Sequence, residues 1–361
     1  MPKTMPGTDH TPTFIGRLCK IALVLAASLS ASGCYLMQAA TGQMELTSKR
    51  QPIAKLLTDT STPQKLRERL EYVSAARAFA SQELGLPDND SYRSYADVGR
   101  PYVVWNVFAT DEFSIQPKRW CFPIAGCVVY RGYFKENSAK TYARRLRLRG
   151  SDTAVGGVAA YSTLGHFKDP VLNTMLGWSD VQLAATLFHE LAHQVVYVPG
   201  DSEFNEAFAT VVEEAGLQRW LAARGRLKEL DAWNEQRERN AQFVALLLQT
   251  RERLDALYRS DLSDDEKRDR KQYEFGVLKL QYSQLKAEQW NGYPGYDAWF
   301  SRTLNNAHLV SAATYYGCVP GLRRVLHSVD GDLPRFYEKA RELAKETRET
   351  RAAAVCTVAD S

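Results

Sequence analysis

The segment from Phe188 to Gly216, FHELAHQVVYVPGDSEFNEAFATVVEEAG, holds two histidines and five glutamates in 29 residues, and it restricts the fold more than any other stretch. His189 and His193 stand four apart, so a helix through them turns both imidazoles to one face, where two nitrogens meet one cation. Glu190, beside the first histidine, reaches a water on that metal without ligating the metal itself. The flanking Thr186, Leu187, Leu191, Ala192, Gln194 and Val195 carry no charge, as a helix buried beneath a cleft requires. Two neutral imidazoles and one carboxylate, with a fourth position left for water, suit a tetrahedral catalytic zinc, so one zinc per chain is expected. A third protein ligand must then follow. After His193 the chain reads QVVYVPGDSEF and the next histidine is His308, which leaves Glu203, Glu206, Glu213 and Glu214. Spacing does not choose among them, since Glu206 follows 12 intervening residues and Glu213 follows 19.

The rest of the chain supplies a setting for this segment. Residues 63–85 show helical spacing at Leu66, Leu70, Val73 and Ala76, with Pro63 suited to the first turn. PYVVWNVFAT (101–110) and CVVYRGYF (127–134) are rich in β-branched and aromatic residues and predict strands, and GGVAAYSTLG (156–165) reads as a short strand with glycines at both ends. A helix is expected over 179–196, capped by Ser179 or Asp180 and ended by Pro199 and Gly200; a second runs from Asp201 or Ser202 to about Ala223. From Leu227 to about Gln289 the pattern becomes a charged, leucine-spaced helical pair broken at SDLSDDE, where Ser263 and Glu266 spell a capping box. Phe243, Leu246, Leu247, Leu254 and Leu257 mark its apolar face. That hairpin either packs on the core or serves as an arm for a protein partner.

The expected class is therefore α+β and predominantly helical: a small sheet, the zincin-like helix of His189, the long hairpin, and a helical C-terminal part. The segments are 1–33 signal peptide, 34–62 tether, 63–225 metallopeptidase core, 226–290 hairpin, and 291–361 completing the cleft.

Residues 1–33 carry Arg17 and Lys20, then the apolar run IALVLAASLS, then small residues ending at ASGC, the order of a secretory signal. ASGC resembles a bacterial lipobox, which makes Cys34 the lipidated residue and the membrane anchor. Tyr35 follows it, not an inner-membrane-retaining aspartate, so an outer-membrane lipoprotein facing the periplasm is expected. Cys19 lies in the removed segment, and the remaining Cys121, Cys127, Cys318 and Cys356 are an even set, consistent with disulfides in an exported chain. Four cysteines allow three pairings; the short loop CFPIAGC favours Cys121 with Cys127 and Cys318 with Cys356. Net charge is +4, and residues 1–33 hold Lys3, Arg17 and Lys20 against Asp9, leaving the remainder near +2. Such a balance gives no reason to expect nucleic acid as a partner.

HELAHQ and FNEAFATVVEEAG resemble the paired motifs of the gluzincin peptidases, particularly relatives of membrane alanyl aminopeptidase. Matched residue by residue, the resemblance implies Glu206 as third ligand and Glu213, two turns later, as acceptor for a ligand histidine's other ring N–H, although the connection is six residues shorter. The order from the lipobox through YRGYF, GVAAYSTLG, HELAHQ, NEAFATVVEE and NNA…TYYGCVPGL is similar to a bacterial family described as "putative aminopeptidase". The implied activity is zinc-assisted hydrolysis of peptide or protein substrates, with Glu190 as general base and a tyrosine from a later helix, Tyr315 ahead of Tyr316 or His308, as oxyanion donor. Gluzincins also hold substrate as an added strand, for which GGVAAYSTLG is correctly placed. It lacks the GxMEN sequence whose glutamate captures a free amino terminus, so an envelope endopeptidase is the alternative. A noncatalytic, metal-stabilised scaffold is the third reading.

Overall fold

The stripe Leu70, Val73, Ala76 and Ala80 forms the buried face of a helix in the computed structural model, which describes residues 35, 37–122, 126–160, 162–163, 165, 167–312 and 318–356. The chain divides into two compact units, Met1–Ser48 and Lys49–Ser361. In the first, residues 37–48 form helix α1. The second begins with β1 (Gln51–Pro52) and α2 (Ile53–Thr58), and Ile53 and Leu56 are buried, so the stretch read as a tether carries regular structure. Next come α3 (Gln64–Gln82), β2 (Ser94–Ala96), β3 (Val104–Asp111), β4 (Trp120–Phe122), β5 (Gly126–Val128) and β6 (Arg131–Tyr133). Then follow α4 (Glu136–Arg147), β7 (Ser151–Val158) and β8 (Val171–Leu172).

Three small sheets result, in strand orders β1-β2-β8, β6-β3-β7 and β4-β5. β7 is an outer strand, antiparallel to β3 from Val104 opposite Val158 to Asp111 opposite Ser151. It starts five residues before Gly156 and stops at Val158, so only the first three residues of GGVAAYSTLG belong to a strand. The missed half is polar: Asp152 accepts from Lys271 Nζ at 2.6 Å and Thr153 Oγ1 from Arg147 at 2.8 Å, side-chain bonds that hydrophobic alternation does not reveal.

Helices make up most of the remainder, giving the predominantly helical α+β architecture. Helix α5 (Asp180–Ala192) is capped by Ser179, which accepts from Gln182 N, and α6 (Ser202–Ala223) by Asp201, which accepts from Phe204 N. α5 ends earlier than its pattern suggested, with His193 at the C-cap and still in helical geometry. The two helices approach closely because α6 has no side chain at Gly216, where a Cβ would stand 2.7 Å from Leu84 Cδ1 and 3.0 Å from Phe188 Cδ2. Phe79 of α3, Phe188 of α5 and Trp220 of α6 pack their rings at centroid distances of 5.1–6.5 Å. Full burial of a side chain such as Phe188 contributes roughly 1.5–3 kcal/mol. The connection between α5 and α6 is fixed by buried Asn205, whose side chain accepts from Val198 N and donates to Val198 O, both at 2.8 Å.

Helices α7 (Glu229–Tyr258) and α8 (Asp264–Glu288) form the hairpin, and Ser263 and Glu266 make a reciprocal capping box at its turn. Its inner face, including Phe243, Leu247, Phe275, Leu278 and Tyr282, packs with Trp290, Phe300 and Leu309. The hairpin is thus joined to the short helices α9 (Asp297–Phe300) and α10 (Asn306–Ala312). Helices α11 (Val319–His327), α12 (Leu333–Lys345) and α13 (Arg348–Val355) end the described chain. Disulfides join Cys121 to Cys127 and Cys318 to Cys356. Arg351 of α13 donates to Asp201 Oδ2 at 2.8 and 2.6 Å, tying the C-terminal region to the cap of α6. Among the described residues no helix is long and apolar enough to cross a membrane. Residues 1–34, including Cys34, lie outside them.

Candidate metal centre and its cavity

Helices α5 and α6 bring His189, His193 and Glu206 together, the one group of potential ligands among the described residues in which three such atoms lie within 4.8 Å of one another. His193 Nε2 is 3.2 Å from His189 Nε2; Glu206 places Oε2 3.3 Å from His189 Nε2 and Oε1 3.8 Å from His193 Nε2. Donor atoms 2.0–2.2 Å from a tetrahedral zinc stand roughly 3.3–3.6 Å apart, so this triangle has a suitable size and donor set. The other acidic candidates stand apart from it. Glu213 Oε2 lies 2.9 Å from His189 Nδ1. Because a carboxylate only accepts, the hydrogen of that contact is on Nδ1, and Nε2, once deprotonated as a metal ligand must be, would turn its lone pair toward Glu206 and His193. Glu214 binds Arg237 and Arg323, and half-buried Glu203 belongs to no such cluster.

Electrostatics favour positive charge at this point. Burial lowers His189's affinity for protons, but its contacts with Glu206 and Glu213 prevail and hold its pKa well above the usual imidazole value. Burial tends to raise Glu206, and the bond to His189 outweighs it, keeping that carboxyl below its usual range. His193, desolvated and beside a cationic neighbour, is pushed down to about 4 and is neutral. Among the described residues its buried Nδ1 has no hydrogen-bond partner.

Glu190 does not join the triangle. Burial is the main force that pushes its carboxyl up to about 7; His189 opposes this, while Glu206 and Asp169 reinforce it. Ser162 also hydrogen-bonds Glu190. Its loop is held by Asp169, which accepts from Thr163 N at 2.8 Å and Thr163 Oγ1 at 2.7 Å. Asp169 O in turn accepts from the backbone N–H of Tyr92, a fully buried residue at φ 63°. Such a backbone conformation is strained for a bulky side chain and needs surrounding support. Arg77 supplies it by donating to Ser91 O, Pro87 O and Asn89 O.

His189, Glu206 and Glu213 open into a cavity of about 1100 Å³ whose other walls include Trp233, Arg237 and Asn240 of α7 and Arg323 of α11. Sequence reasoning assigned none of these wall residues to the site, nor Asp169 and Asn205; Ser162 lies in the segment GGVAAYSTLG expected to hold substrate, but was given no role at Glu190. A usable signal is Trp233 and Arg237 one helical turn apart, a donor pair on the face of α7 that continues to Val244. Tyr315 and Tyr316 lie outside the described residues. His308 is buried in α10, where its Nδ1 contacts Asn305, and it is not part of the cavity wall.

No curated protein matches the chain significantly. The same holds for solved structures. A family model described as "Putative aminopeptidase" matches residues 34–355, nearly the whole chain, and the protein therefore belongs to that family.

Proposed function

We propose that the protein is a zinc-dependent peptidase of the cell envelope, acting as an aminopeptidase. The observation that carries this reading is the triangle of His189 Nε2, His193 Nε2 and Glu206 carboxylate at 3.2–3.8 Å, with a cavity of about 1100 Å³ opening from His189 and Glu206; Glu190 follows His189 in the chain and is not in that cavity's wall. Zinc held by those three residues supplies Lewis acidity, polarising a carbonyl and making water acidic near neutral pH. The chain's own residues do the rest. Glu213 keeps the His189 ring oriented through Nδ1. Glu190 receives a proton on its carboxylate as water attacks the scissile carbonyl and returns it to the leaving amine. The cavity walls orient the peptide, and Gly156–Val158 at the outer strand β7 offers main-chain groups for an extended substrate.

Arg17, Lys20, the apolar run and ASGC support export with lipid on Cys34, and Tyr35 supports the outer membrane facing the periplasm. The missing amino-terminus-capturing glutamate in GGVAAYSTLG favours an endopeptidase as the second reading. The test is hydrolysis of a peptide library by the zinc-loaded protein, with free and acetylated amino termini, in wild type and Glu190→Gln. Cleavage that needs a free amino terminus and Glu190 supports the aminopeptidase; cleavage of blocked peptides supports the endopeptidase. No cleavage by wild type leaves the metal a structural role.

A further inference from the structure

The cavity has a donor-rich end. Glu214 of α6 accepts from Arg323 Nε at 2.8 Å, from Arg323 Nη2 at 2.9 Å and from Arg237 Nη2. One carboxylate thus serves two guanidiniums, and one positive charge is left over. A guanidinium has five N–H donors, and among the described residues Arg237 Nε and Nη1 and Arg323 Nη1 have no protein acceptor. Trp233, one turn before Arg237, adds a buried indole N–H that has no acceptor among the described residues. All three residues line the same cavity as His189 and Glu206. The acidic groups elsewhere in its wall are engaged: Glu229 with Arg226, Glu206 and Glu213 with His189.

We propose that Arg237 and Arg323 bind the free C-terminal carboxylate of a short peptide whose scissile bond lies at the His189, His193 and Glu206 cluster; the substrate class is unblocked oligopeptides. This rests on the peptidase reading. A carboxylate fits a guanidinium fork and makes charge-assisted bonds roughly twice as strong as neutral ones. The helix also acts as a ruler. Glu206 and Glu214 are eight residues apart on α6, about 12 Å along its axis, and an extended peptide advances at most ~3.3–3.6 Å per residue. Three or four residues therefore separate the cleaved bond from the C terminus. An aminopeptidase built this way removes the first residue of tetra- and pentapeptides and discriminates against amidated or much longer chains.

The experiment measures peptide binding by calorimetry to the full-length Glu190→Gln protein, with and without zinc, alongside hydrolysis by wild type. The probes are alanine peptides of three to eight residues, each as free acid and as amide, plus an amidated pentapeptide with aspartate at its last position. The expected result is tetra- and pentapeptide acids binding at least tenfold more tightly than their amides. Adding Arg323→Ala or Arg237→Ala should remove that preference while leaving amide affinity unchanged, and Arg323→Lys should retain part of it. A general packing role would weaken acid and amide alike. Equal binding of acid and amide, a preference that survives both arginine replacements, or no binding of either peptide overturns the proposal. Equal binding of the aspartate amide also overturns it, in favour of an acidic side chain. Acid-selective binding without hydrolysis by wild type would sink the peptidase reading while leaving the carboxylate site standing.

Discussion

Replacing Arg351 by methionine is expected to destabilise the protein by about 3–5 kcal/mol, the cost of breaking a buried ion pair from one side. Arg351 and Asp201 side chains are 3% and 9% exposed. Arg351 donates twice to Asp201 Oδ2 and, through Nη1, to Leu343 O and Glu346 O. Methionine fills the volume but leaves the Asp201 carboxylate, among the described residues, with only the N–H of Phe204, a 3.3 Å capping contact. Against a total stability of roughly 5–15 kcal/mol, the loss is large. Its functional echo is local, because Asp201 caps α6 five residues before Glu206, so the variant should also bind zinc less tightly. The assay is urea unfolding of wild type, Arg351→Met, Asp201→Asn and the double variant. Asparagine preserves the cap while removing the charge. The double variant should be less destabilised than the sum of the single changes by about 1–3 kcal/mol, the coupling expected of direct partners. A loss below about 1 kcal/mol for Arg351→Met, or strict additivity with Asp201→Asn, would refute the reasoning.

Three further outcomes are expected. Glu190→Gln should lower peptide hydrolysis by about 10²–10⁴-fold, the usual contribution of a general base, with unchanged zinc content by elemental analysis. Glu213→Gln should keep one zinc site but weaken it by about 10–100-fold in chelator competition, because His189 loses the carboxylate at 2.9 Å that orients its ring. Cys318→Ser with Cys356→Ser opens a loop of sequence separation 38 and should cost about 4 kcal/mol in the chain-entropy account, measured by chemical unfolding.

The site was legible where chemistry imposes sequence spacing. The i, i+4 histidines, the caps Ser179 and Asp201, and the capping box of Ser263 and Glu266 are local relations, and each has a counterpart in the structure. The glutamates were ambiguous because Glu206 and Glu213 lie seven residues apart on nearly the same helical face, and both in fact contact His189 through different ring nitrogens. Only the packing of α5 on α6 separates them. β7 was placed too late, at 156–165, because its first residues carry polar side chains satisfied by Lys271 and Arg147, which come from α8 and α4. Arg237 and Arg323 were assigned no role, since nothing in a linear pattern reveals that α7 and α11 face one cavity.

The most direct test of the metal centre is elemental analysis of the protein after zinc is supplied, in wild type, Glu206→Ala and Glu213→Ala. The account predicts one zinc per chain in wild type, its loss in Glu206→Ala, and its retention with weakened affinity in Glu213→Ala. Wild type without zinc, or zinc retained by Glu206→Ala and lost from Glu213→Ala, would contradict it.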